Sequence, residues 1–157
     1  FEQWIRLEEN VVHVRTRLTN ARTDSREQFQ ARDQELPAIY TVGRYHRLFS
    51  YTGTSPFTGA ALTELAKTPP PWVYFRATEN WAALVDDSLR GVGVHHPDAV
   101  HFVGGYDGSN PGKGGPLDPD TGYVSPLHVE LIDGDITYDN EYQLILGHHY
   151  LVIFYLV

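Results

Sequence analysis

The chain has 157 residues, of which 41% are hydrophobic, 13% aromatic and 20% charged, with ten tyrosines, no cysteine and a formal charge of −8. That length suits one domain with a core of its own, and the composition excludes a disordered chain. The acidic balance argues against nucleic acid as a partner, since such surfaces gather Lys and Arg on one face; the missing cysteines exclude disulfides and thiolate metal sites.

The chain opens on a strand-like segment, Phe1 to Glu8, and then alternates from Val11 to Leu18. Val12, Val14, Thr16 and Leu18 fall on one side and His13, Arg15 and Arg17 on the other, which predicts a half-buried strand. Asn20 to Gln30 is polar and reads as irregular, with a helix cap on offer at Thr23 to Glu27. Ala38 to Val42 and Tyr45 to Tyr51 are predicted strands joined as a hairpin through Gly43-Arg44. Ala60 to Lys67 has helical composition and is stopped by Pro69-Pro70-Pro71.

Strands follow at Trp72 to Ala77 and Asn80 to Val85, then a turn at Asp86-Asp87-Ser88, and strands at Gly91 to Val94 and Ala99 to Val103. Gly104 to Gly122, rich in Gly, Pro and Asp, is predicted to be one long functional or mobile loop. Val124 to Ile132, Ile136 to Tyr138, Tyr142 to Leu146 and an apolar run from Tyr150 to Val157 complete the pattern. The expected fold is all-β: one domain over 1–157, an antiparallel β-sandwich of about ten to twelve short strands with at most one short helix. The apolar ends suggest an excerpt of a longer polypeptide, and no apolar run approaches the roughly 20 residues of a membrane helix.

Two blocks break the plain strand pattern. In Arg32-Asp33-Gln34-Glu35 the two acids stand two apart, so an extended backbone turns both carboxylates to one side, at a separation of about 7 Å between backbones. Such a pair suits glycoside hydrolysis, while a loop-pinning ion network with Arg32 is the simpler account. In Glu79-Asn80-Trp81 an acid and an indole share a side, which is how sugars are held; the apolar residues that follow Trp81 favour a core position. Arg32, Asp33, Glu35, Glu79 and Trp81 are the candidate ligand-binding residues, and no catalytic set is assigned.

Metal sites are thinly supported. His95 with His101 lacks a spaced zinc motif, the neighbours His95-His96 and His148-His149 point to opposite faces, and no metal is assigned there. Asp107 with Asp118-Pro119-Asp120-Thr121-Gly122 offers oxygen ligands of the kind Ca²⁺ takes, although a solvated turn is the preferred reading. No other cofactor is expected.

The segments Val12 to Asn20, Arg32-Asp-Gln-Glu-Leu-Pro-Ala-Ile-Tyr40, Arg76-Ala-Thr-Glu-Asn-Trp-Ala-Ala-Leu-Val-Asp-Asp87 and Thr121-Gly-Tyr-Val-Ser-Pro126 together resemble a β-rich domain of secreted bacterial proteins, of polysaccharide-active and laminin-G-like architecture. The pattern departs from that resemblance at Leu89, where a glycine is expected to follow Asp-Asp-Ser. The resemblance implies an extracellular or periplasmic, noncatalytic module with a polysaccharide or oligosaccharide as partner. Two alternatives stay open: a glycoside hydrolase or lyase using these acids, and an assembly subunit that self-associates through strand edges.

Overall fold

The computed structural model describes residues 1–24, 30–65, 72–131 and 133–148. They form twelve strands: β1 (Glu2–Glu8), β2 (Val11–Asn20), β3 (Arg32–Glu35), β4 (Ile39–Val42), β5 (Arg47–Ser50), β6 (Thr63–Leu65), β7 (Trp72–Arg76), β8 (Trp81–Val85), β9 (Arg90–His95), β10 (His101–Asp107), β11 (Thr121–Glu130) and β12 (Ile136–His148). The expected all-β class holds, with two antiparallel sheets and no helix among the described residues.

The seven-stranded sheet runs β1-β2-β12-β9-β8-β5-β6, and the five-stranded sheet runs β3-β11-β10-β7 with β4 also on β11. Alternation decides which side chains meet between them. Leu48, Ala82, Leu84 and Val94 from the larger sheet close on Phe102 and Val124 from the smaller, all at most 2% exposed. The predicted alternation of β2 holds at Val14, buried, and Arg15, exposed, but Val11 on the side of Arg15 is buried too, because that face packs in the second cluster at this end of the strand.

The larger sheet also buries its other face. Val11, Phe49, Tyr51, Trp81, Ala83, Val85 and Ile145 form a second cluster, with Leu62 and Leu89 packed on it. Near Trp81 the cluster is tied to the loop after β5: Tyr51 Oη bonds Thr58 Oγ1 at 2.8 Å, and Thr78 N donates to Tyr51 O at 2.9 Å. Leu89, where the resemblance expects glycine, holds φ at 61° and uses its side chain in this cluster.

Several sequence expectations are corrected. Gly43-Arg44 does not close a hairpin, because β4 pairs with β11 while β5 pairs with β6 and β8. The chain changes sheets there, and again between β7 and β8. The described part of the expected helix, residues 60–65, holds no helix: Thr63–Leu65 is strand β6, whose Glu64 forms a bidentate pair with Arg47 at 2.8 and 2.7 Å. Gly104, Gly105 and Tyr106 belong to β10 rather than to the long loop, and Ile136 to His148 is one continuous strand. Residues 25–27 of the proposed cap at Thr23 to Glu27, the triple proline, His149 and the run from Tyr150 lie outside the described residues.

Candidate functional site

The outer face of the five-stranded sheet gathers the most chemistry. Residues opposite one another in an antiparallel ladder share a face. Glu35, Leu127, His101 and Arg76 therefore stand in one row across four strands, through Glu35↔Leu127, His101↔Leu127 and His101↔Arg76. Two rows along, Tyr40↔Tyr123, Gly105↔Tyr123 and Gly105↔Trp72 line up on the same face. Tyr74 and Ser125 stand opposite Val103 in the row between.

Gly105 explains why the aromatic row closes. It has no side chain between Tyr123 and Trp72, so both rings lean over its backbone and meet. Their centroids are 4.9 Å apart, and Tyr40 reaches Tyr123 from the other side at 4.6 Å. Tyr123 is thereby sealed to 2% exposure and packs with Val103, Leu127 and Trp72. Its hydroxyl donates to Glu35 Oε2 at 2.5 Å, and burial, then this bond, push the phenol well above its ordinary pKa. Glu35 is thus set against the aromatic row by the residue beneath it.

The outermost rings stay open. Tyr40 is 65% exposed and Tyr74 71%. Asp33 is exposed and, two residues from Glu35, lies on the same face as predicted. A groove of about 450 Å³ runs beside it, lined by Asp33, Tyr74, His101 and Leu127 together with Phe75 and Phe102. The face thus offers flat apolar rings beside carboxylates, an imidazole and a guanidinium, the combination that holds polar ligands with apolar faces.

The other candidates lie elsewhere. Arg32 pairs with Glu130 in the ladder, one residue out of step with Asp33, and so falls on the opposite face. Glu79 and Trp81 do share a side, but that side is interior: Trp81 is 0% exposed and Glu79 6%. Trp81 Nε1 donates to Glu79 Oε2 at 3.1 Å, and Phe57 N donates to Oε1 at 2.8 Å, so the carboxylate fastens the loop after β5 over the indole. With no ring face in solvent, Trp81 cannot stack on a sugar, and the core account of it prevails.

The metal candidates are also dispersed. His95 Nδ1 lies 3.0 Å from Gln143 Oε1 on the seven-stranded sheet, whereas His101 is on the other sheet. Asp120 Oδ2 accepts from Tyr106 Oη at 2.6 Å and from Asn110 N at 2.7 Å, and Asp118 accepts from Gly115 N. These bonds organise the 108–120 loop. Among the described residues no three His, Asp or Glu side chains are placed to share a metal ion.

Sequence reasoning missed Tyr40, Trp72, Tyr74, Arg76, His101 and Tyr123 as one face. A partial signal was present, because Trp72, Tyr74 and Arg76 alternate along one strand side, as do Tyr123, Ser125 and Leu127. Compared with known protein families and with curated proteins, the sequence matches none, and the functional reading rests on this geometry.

Proposed function

We propose that this β-sandwich domain is a noncatalytic glycan-binding module, extracellular or periplasmic in setting, that receives a polysaccharide on the outer face of its five-stranded sheet. One observation carries the reading: Tyr40 and Tyr74 stand open on the same face as Trp72, Asp33, Glu35 and His101. A sugar ring offers CH groups to an aromatic plane and hydroxyls to carboxylate, imidazole or guanidinium acceptors and donors, and this face presents both kinds of partner side by side. The groove beside Asp33 is within the range of small-ligand sites, about 300–1,000 Å³.

Charge narrows the polymer class. Asp33 and Glu35 on the face, and a net charge of −8 overall, repel polyanions, so the expected ligand is a neutral polysaccharide. Affinity electrophoresis against neutral and acidic polysaccharides tests this, with tryptophan fluorescence, to which Trp72 contributes, as the reporter. Tyr74→Ala and Tyr40→Ala should each weaken retention by about 3- to 10-fold, the worth of one aromatic contact, with the far-ultraviolet spectrum unchanged. Equal retention of the variants and the parent would remove the face from the reading, and absence of retention across the panel would refute glycan binding. A retained polymer that is also shortened, with Glu35→Gln abolishing the shortening, would turn the module into a hydrolase or lyase.

A further inference from the structure

β1 borders the seven-stranded sheet, and all seven of its residues are exposed. One side pairs with β2 residue for residue, from Glu2↔Arg17 to Glu8↔Val11. Among the described residues no strand pairs with the other side. An open edge of that kind is a template for another strand, and proteins blunt it with proline, charged side chains, bulges or very short strands. β1 has no proline, runs seven residues in unbroken register with β2, and carries charges of both signs, Glu2, Arg6 and Glu8, beside Trp4 at 47%, Ile5 at 64% and Leu7 at 68% exposure.

We infer that β1 is a self-association edge, and that its occupant is β1 of a second copy, antiparallel about a twofold axis through Trp4. The argument is charge and shape complementarity in the strand's own sequence. A twofold axis perpendicular to the sheet keeps each face on its own side, so only registers pairing residues an even number apart are allowed. With the axis at Trp4, Glu2 of each copy meets Arg6 of the other, Trp4 meets Trp4, and Gln3 meets Ile5. One face then carries two acid–base pairs flanking an aromatic pair, a cross-strand combination that favours pairing. Moving the axis to Ile5 sets Glu2 against Glu8, a like-charge pair that disfavours it.

The local ion pairs leave these groups available. Arg6 Nη1 lies 3.1 Å from Glu8 Oε2 with both side chains more than half exposed, a contact of little worth. Glu2 stands opposite Arg17, whose guanidinium is already held by both oxygens of Asp139 at 2.9 Å. Joining the sheets leaves the outer face of the five-stranded sheet open on each copy, so a dimer presents two such faces to one polymer and gains avidity.

Sedimentation equilibrium of the 157-residue chain, up to about 1 mM, reads the outcome directly. The mass should climb from 17.8 kDa toward twice that value. Glu2→Arg and Arg6→Glu should each raise the dissociation constant by about 5-fold, because each reverses two symmetry-related pairs, and the double variant should restore it to within about twofold. A strict monomer throughout overturns the inference. Tighter association of Glu2→Arg alone places the axis at Ile5 and overturns it equally, as does a double variant no better than either single one. Glycan retention is measured separately, so loss of either property leaves the other standing.

Discussion

Replacing Trp81 by phenylalanine tests whether the Glu79–Trp81 pair holds the outer cluster of the larger sheet together. The indole is 0% exposed, and its N–H donates to a carboxylate that also accepts from Phe57 N. Phenylalanine keeps most of the apolar contact but leaves a void of roughly 40 Å³, worth about 1 kcal/mol. It also leaves Glu79 Oε2 buried without that donor, a further loss of about 2 kcal/mol for a charged hydrogen bond. Trp81→Phe should therefore destabilise the domain by about 3 kcal/mol, a fall in Tm of roughly 6–12 °C at this size. Glu79→Gln should cost about 1–2 kcal/mol, because its amide cannot accept from both donors.

The double variant separates pair from neighbourhood. If the hydrogen bond is what both residues lose, the double change should fall short of the sum by about 1–2 kcal/mol. Urea unfolding followed by far-ultraviolet circular dichroism gives all four values, with equal slopes required for comparison. A Trp81→Phe loss below about 1 kcal/mol, or a coupling under about 0.5 kcal/mol, would refute the account of Glu79 as the fastener of the loop. Retention of glycan by a folded Trp81→Phe chain is expected, because the indole faces the interior.

Acid should weaken the domain before its carboxylates titrate. Burial, more than any other cause, holds His96 below its ordinary value of 6.5, against the opposing bond to Asn140 and the nearby Asp98, while His128 adds to the lowering. The unfolded chain therefore takes up a proton near pH 6.5 that the folded chain takes up only at lower pH. Stability should fall as pH drops through that interval, by up to about 1.4 kcal/mol per pH unit for this group, and His96→Asn should flatten the slope. His95, lowered chiefly by burial, adds in the same direction, so the slope is reduced rather than abolished; urea midpoints at pH 7, 6 and 5.5 with identical slopes in parent and variant would contradict this. Gly91→Ala should prevent folding or cost more than about 4 kcal/mol, since a Cβ there would clash with the backbone carbonyl of Leu84 inside the β8–β9 ladder. Gly59→Ala, with open space around it and φ at 70°, should cost only about 1 kcal/mol, and comparable losses at both glycines would show that crowding is not the cause.

Sequence alone determined what is local. The extended strand over Val11 to Leu18, the turn at Asp86-Asp87-Ser88 and the common side of Asp33 and Glu35 all follow from backbone geometry within a few residues, and the structure keeps each of them. The same reasoning failed where a side chain's meaning depends on distant partners. Gly43-Arg44 reads as a hairpin turn, yet the strands on its two sides find different sheets. For Trp81 beside Glu79 the apolar residues that follow favour core over a sugar platform, but what covers the indole shows only once the loop carrying Phe57 is seen bonded to Glu79. Tyr40, Trp72 and Tyr123 come from strands separated by long stretches of chain and become one surface only through the register across Gly105. Alternation assigns a side chain to one face of its own strand; strand order and register, which arise from long-range pairing, decide whether that face meets solvent, a loop or the other sheet.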